Sequence, residues 1–185
     1  MKENSDRKKI RLSGFDYSQA GSYFITIGTH NRKYIFGDIQ NENIKLNDIG
    51  RIIEEWWNKL PEKFLSIKND EFTVMPNHIH GIIAILDENS ESNSGKAALP
   101  RILQWFKAMT GNEYSRYVRE KRLSVGENRL WQRSYYDHVI RNEKELGRIR
   151  EYIKNNPLKW HLDRENLESD KLNIDLDKYF ADIYE

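Results

Sequence analysis

Two strand-like runs, DEFTVM (Asp70–Met75) and HIHGIIAIL (His78–Leu86), are separated by Pro76 and Asn77 alone. So short a link joins antiparallel strands, because parallel neighbours need a long crossover. Proline cannot donate to a ladder, so Pro76 belongs in the turn. This hairpin commits the chain to an antiparallel sheet, and the other segments must extend and cover it. SYFITIGT (Ser22–Thr29) is β-branched and aromatic and reads as a further strand. RLWQRSYYDHVI (Arg129–Ile140) suits a fourth, with Trp131 and Tyr135 in the core. YIFGDIQNENIKL (Tyr34–Leu46) reads as a small separate hairpin turning near Asn41 and Asn43.

Between these strands the apolar period changes. Ile49, Ile52, Ile53, Trp56, Trp57 and Leu60 recur at helical spacing, with Asn47 or Asp48 to cap the start and Pro61 near the stop. PRILQWFKAMTGNEYSRYVREKR (Pro100–Arg122) is helical, with a break expected at Gly111. NEKELGRIREYIKNN (Asn142–Asn156) is a third helix, capped by Asn142 and ending near Asn156, because a residue before proline disfavours helix. The order is strand, helix, strand, strand, helix, strand, helix. That predicts an α+β fold, a ferredoxin-like βαββαβ antiparallel sheet with an added C-terminal helix that carries Tyr152. One sheet face packs helices and the other is left for a ligand.

With 185 residues the chain suits one domain, set at residues 1–164, and an acidic C-terminal tail at residues 165–185. The tail carries −5 and the body +6, a balance compatible with a polyanionic partner. Residues 87–98 are polar and low in complexity and read as a loop. The chain has no cysteine, which excludes disulfides and thiolate metal sites. It also has no apolar leader and no run of membrane-spanning length. The expectation is a cytoplasmic protein with no membrane partner.

Strand residues alternate faces, so His78 and His80 point the same way and both imidazoles can reach one metal ion. Ile79 then faces the helices. As site residues on an open sheet face, the two histidines are expected to be exposed. The same pattern also suits two histidines held by hydrogen bonds. In the last helix Leu146, Ile149 and Ile153 form the core stripe, and Tyr152 and Asn156 lie at its edge, four residues apart and one above the other. Two imidazoles and an amide oxygen can bind a divalent cation, and a phenol beside them can attack a phosphorus atom. The spacing equally suits a boundary tyrosine and a helix-terminal asparagine. His30, His138 and His161 are expected to be structural.

PNHIH before an apolar strand and YIKNNPLKW near the C-terminal end resemble the single-tyrosine transposases of the HUH nuclease superfamily, most closely the REP-associated tyrosine transposase group. IRLSGFDYSQAGSYFITIGTHNR, LNDIGRIIEEWW, LQWFKAMTGNEY and LWQRSYYDHVIRNE extend the resemblance in order over most of the chain. The acidic C-terminal end lies outside it. The resemblance implies a ferredoxin-like fold, Tyr152 as the catalytic nucleophile, and His78, His80 and Asn156 as the metal set. Asn156 stands where many such enzymes have glutamine. It further implies a divalent cofactor, Mg²⁺ or Mn²⁺, although two imidazoles would also accept zinc.

The activity implied is metal-dependent cleavage and transfer of single-stranded DNA at hairpins of the REP type, through a 5′-phosphotyrosine. Arg7, Lys8, Lys9 and Arg11, close to Phe15 and Tyr17, suit phosphate contact and base stacking, and the resemblance gives this region to hairpin binding. Arg133 is a further DNA-contact candidate, and Arg116–Arg122 forms a second basic patch. The residues alone also leave open a hairpin-binding module with little or no cleavage, and a metal hydrolase on a small substrate. Monomer and dimer are both compatible with the sequence.

Overall fold

The computed structural model describes residues 15–86, 98–123, 129–163 and 165–167. The basic residues Arg7, Lys8, Lys9 and Arg11, most of the polar loop, and the tail from residue 168 onward lie outside them.

The main sheet has four strands: β1 (Gly21–Gly28), β4 (Ile67–Met75), β5 (His78–Ile85) and β6 (Tyr136–Ile140). Their order across the sheet is β4-β5-β1-β6, and every neighbouring pair is antiparallel. This is the ferredoxin-like arrangement, two interlaced strand–helix–strand units with the first and third main strands at the centre. Between β1 and the first long helix, β2 (Gly37–Gln40) and β3 (Asn43–Leu46) form the small hairpin. It turns through Asn41 and Glu42, both at positive φ, as a tight hairpin requires.

One face of the sheet is covered by α1 (Asp48–Asn58) and α3 (Leu99–Glu120), with the short α2 (Leu60–Lys63) between. Ile25, Ile27, Ile79 and Ile83 pack there against Ile53, Trp57, Ile102 and Phe106. Asn47 caps α1 by accepting from the Gly50 amide at 3.0 Å. The expected break at Gly111 does not occur; α3 runs through it without interruption. A lone glycine costs a helix only about 1 kcal/mol, and burial of Phe106, Tyr114 and Val118 on both sides of it outweighs that.

Gly81 serves the same layer by its lack of a side chain. A Cβ there would stand 2.4 Å from Cζ2 of Trp57, whose indole is stacked on Phe72 at 4.4 Å. Gly81→Ala is therefore expected to lower the unfolding free energy by about 1–3 kcal/mol, since a packed ring must be displaced. Urea unfolding monitored by tryptophan fluorescence checks this, and an unchanged midpoint would contradict it.

The opposite face holds a smaller cluster. Phe24, Ile82 and Ile140 of the sheet meet Leu146, Ile149 and Ile153 of α4 (Glu143–Asn155). Asn142 caps α4 by accepting from the Glu145 amide at 2.9 Å. A two-pronged ion pair joins Arg150 to Asp70 of β4, Nε to Oδ1 at 2.8 Å and Nη2 to Oδ2 at 2.6 Å. The Arg150 guanidinium holds Asp70 below the usual carboxylate range. The ladder of β4 with β5 shifts register between Asn69 and Phe72, a bulge that adjoins this anchor.

Residues 129–140 form less strand than expected. Trp131 makes a single bridge to Thr29, and only Tyr136–Ile140 pairs with β1. Lys107 of α3 explains the gap, since its ammonium donates to the carbonyls of Gln132 at 2.7 Å and Arg133 at 3.0 Å and so takes acceptors a ladder would use. Trp131 and Tyr135 are buried in the main core, as anticipated. No helix among the described residues is long and apolar enough to cross a membrane.

Candidate active site

β5 starts directly after the Pro76–Asn77 turn, so its first residues open the sheet at one end. His78 lies opposite Gly28 of β1 and Met75 of β4, and His80 lies opposite Thr26 and Thr73. All share the face that α4 covers. The two Nε2 atoms are 3.0 Å apart. The neighbouring groups explain this orientation. Asn77 uses its amide nitrogen to donate to the Glu165 carbonyl at 2.6 Å, which turns its Oδ1 to accept from Nδ1–H of His78 at 2.9 Å. With Nδ1 carrying the proton, neutral His78 has its lone pair on Nε2. Nδ1 of His80 is 2.8 Å from the Thr26 hydroxyl, which can serve either tautomer.

Both histidines are buried, 0% and 3% exposed, contrary to the expectation of an open pair. Burial, reinforced by His80 and Arg32 and opposed by Asp163, lowers the His78 pKa to about 3, so its imidazole is neutral at physiological pH. The cover comes from beyond α4. A 3-10 turn at Trp160–Leu162 lays the Trp160 indole over His78, with ring centroids 6.0 Å apart. The turn also inserts Asp163. Oδ2 of Asp163 is 3.3 Å from Nε2 of His80 and 3.6 Å from Nε2 of His78. It accepts from Nδ2 of Asn156 at 2.8 Å, and Oδ1 accepts from the Glu165 amide at 2.7 Å. Burial opposes ionisation of Asp163, but hydrogen bonding from His80 and the Asn156 amide favours it, and the carboxyl is held below its usual range.

Tyr152 reaches this cluster from the edge of α4, half-buried. Its hydroxyl is 3.1 Å from Nε2 of His80 and 3.5 Å from Oδ2 of Asp163. Its ring packs edge-on against Phe24. Asn156 follows one turn later and is buried, and its Oδ1 has no hydrogen-bond partner among the described residues. Thus His78, His80, Tyr152 and Asn156, all singled out from sequence, converge on one point.

The donor set suits a divalent cation. Two Nε2 atoms and a carboxylate oxygen lie within 4.8 Å of one another, close enough to serve one ion. Ligands about 2.1 Å from an octahedral ion and at right angles stand about 3.0 Å apart, the separation of the two imidazole nitrogens. The orphaned Oδ1 of Asn156 adds a buried acceptor that a cation would satisfy.

Other anticipated residues stand apart. Arg133 is exposed on the link before β6, and no described contact joins its side chain to the histidines. Of the adjacent tyrosines, Tyr135 belongs to the main core, whereas Tyr136 faces the site side and packs on Phe24 at 6.2 Å. β6 pairs with β1 rather than with β5, so neither tyrosine adjoins His78 along a strand. Nε2 of His138 lies 2.6 Å from Oε1 of Glu145, the α4 residue whose other oxygen accepts from the Arg141 amide. Sequence reasoning missed Thr26, the second role of Asn77, and Asp163.

The family model for IS200-like transposases matches residues 19–156. The chain belongs to the IS200-like transposase family. Tyr152 and Asn156 close the matched region, and Asp163 lies beyond it. Among relatives of this transposase, an uncharacterized protein of Haemophilus influenzae is 39% identical over 169 residues, covering 85% of this chain and 92% of that protein. A second H. influenzae protein, provisionally named a REP-associated tyrosine transposase, is 26% identical over 145 residues, 78% of this chain and 74% of its own. Two solved structures are similar at a distance. A REP-associated tyrosine transposase bound to a REP hairpin has a TM-score of 0.48 and 19% identity, covering 81% of this transposase and 72% of that chain. A provisionally assigned transposase from Deinococcus radiodurans has a TM-score of 0.49 and 16% identity, covering 78% and 97%.

Proposed function

We propose that this transposase is a metal-dependent endonuclease and strand transferase that cuts single-stranded DNA beside a hairpin and links itself to the 5′ end through Tyr152. The observation that carries the reading is the approach of the Tyr152 hydroxyl to within 3.1 Å of Nε2 of His80, inside a donor set suited to a cation. The name of the 26% identical relative supports a REP-type hairpin as the substrate.

His78 and His80 would hold Mg²⁺ or Mn²⁺, with the free Oδ1 of Asn156 beside them. Such an ion supplies charge neutralisation at a non-bridging phosphate oxygen. The remaining work falls to the chain. α4 presents the phenol in a fixed position, so attack costs little orientational entropy. A tyrosine hydroxyl has an ordinary pKa of about 10 and must give up its proton as it attacks; with Nε2 of His80 given to the ion, Oδ2 of Asp163, 3.5 Å from the hydroxyl, is the acceptor in reach. A bond forms between the Tyr152 oxygen and phosphorus as the bond to the 3′ oxygen breaks, and that oxygen leaves as a free 3′-hydroxyl. The new ester retains the phosphodiester's energy, so another 3′-hydroxyl can reverse it without ATP.

The test is incubation with a hairpin-bearing single strand labelled at either end, with Mg²⁺ or Mn²⁺, read on a denaturing gel. The expected adduct carries only the label 3′ of the cut. An adduct carrying the other label reverses the polarity, and a bound hairpin with no adduct makes the protein a binding module instead.

A further inference from the structure

The carboxylate of Asp163 does more than stand 3.5 Å from the Tyr152 hydroxyl. It is 2% exposed. Among the described residues its titratable neighbours are the two histidines, with no lysine or arginine paired to it. Buried charges are normally paired or bound to a metal, because desolvating one alone is costly. Here the surroundings provide two imidazoles, whose neutral form is the ligand form, and amide donors from Asn156 and Glu165.

We propose that Asp163 is a direct ligand of the cation, contributed from beyond the family's matched region, so that the centre is two imidazoles and a carboxylate with the Asn156 amide alongside. The proposal rests on the reading of His78 and His80 as metal residues. Oδ2 lies 3.3 and 3.6 Å from the two Nε2 atoms, the spacing of donors sharing one ion. The carboxylate is also held in place. Nδ2 of Asn156 donates to Oδ2 and the Glu165 amide to Oδ1, so its orientation is set before any ion arrives. Ligating carboxylates are held by such outer hydrogen bonds.

The segment bearing Asp163 is anchored independently of it. Glu165 pairs with Arg32 at 3.4 Å, and its carbonyl accepts from Asn77. Tyr34 donates through its hydroxyl to Asn166 at 3.0 Å and accepts from the Leu167 amide at 3.1 Å. Asn77 therefore orients His78 with one end of its amide and ties down the Asp163 segment with the other. An ionised carboxylate also changes the charge that DNA meets: two neutral imidazoles, one carboxylate and a divalent ion leave +1 opposite a phosphodiester. A carboxylate adds oxygen-donor character and favours the harder ions over zinc.

The test measures binding of the ion itself. The full chain is stripped of metal and titrated with Mn²⁺, free Mn²⁺ being read by electron paramagnetic resonance. Asp163→Asn keeps shape and volume and is expected to weaken Mn²⁺ binding at least tenfold, with the circular dichroism spectrum of the metal-free protein unchanged. A second variant covers the case in which the amide disturbs folding. The chain has no cysteine, so Asp163→Cys introduces its only thiol. Added Cd²⁺ is then expected to give a cadmium–thiolate absorption band that wild type lacks. If Asp163→Asn binds Mn²⁺ as tightly as wild type while His78→Ala does not, or if the cysteine variant binds Cd²⁺ without that band, Asp163 is not a ligand. If His78→Ala and His80→Ala also bind Mn²⁺ normally, the histidine centre itself is wrong, a failure distinct from that of Asp163.

Discussion

Tyr152→Phe is expected to form no covalent adduct with hairpin DNA and to lower strand cleavage by a factor on the order of 10⁴ or more, the scale seen when a catalytic nucleophile is removed. Hairpin binding should be retained. The substitution deletes one oxygen and keeps the ring against Phe24. The lost contacts, 3.1 Å to His80 and 3.5 Å to Asp163, should change stability by no more than about 1 kcal/mol. A large loss of stability is therefore not an available explanation for lost cleavage. Thermal unfolding with the adduct gel checks both halves. An adduct that persists in the variant moves the nucleophile elsewhere. Tyr136 is the first rival, because it faces the same side of the sheet and packs on the same Phe24, and peptide mass would locate it.

Removing the metal should have the second-largest effect. His78→Ala and His80→Ala are each expected to reduce cleavage by at least about 10²-fold, the cost of losing one group that stabilises charge in a transition state. The buried positions add a complication that an exposed site would not. His78→Ala leaves Oδ1 of Asn77 without its donor and uncovers Trp160, so a stability loss of about 1–3 kcal/mol should accompany it. Chelation separates the two effects. Excess EDTA on the wild-type protein should abolish cleavage while circular dichroism stays unchanged, and added Mn²⁺ should restore it. Full cleavage in EDTA would sink the metal requirement.

The parts of this molecule that were readable from sequence are those governed by a short period or a local rule. Alternation placed His78 and His80 on one face and Ile79 on the other. The 3.6-residue repeat placed Leu146, Ile149 and Ile153 in the core with Tyr152 beside them. Asn47 and Asn142 cap the helices assigned to them. What escaped depends on contacts distant in sequence. Thr26 meets His80 only because the register pairs them across 54 positions. Asp163 arrives through a turn after Pro157, where no repeat relates a residue to its neighbours. The shortened fourth strand has the same origin, a lysine on another element competing for backbone carbonyls. The burial of the histidines follows from Trp160 and Asp163 and shares their obscurity.

The bulge in β4 has a bearing on how the molecule meets its own kind. β4 is the outermost strand on its side of the sheet, where a neighbouring copy could continue the ladder. The slip between Asn69 and Phe72 interrupts the regular row of amides that such an addition would need. Lys68, Asp70 and Glu71 place charge along the same stretch, and Arg150 reaches over from α4 to engage it. Charge and irregularity at a border of this kind disfavour strand addition, so the rim that steadies α4 is also a poor template for edge-to-edge growth of the sheet.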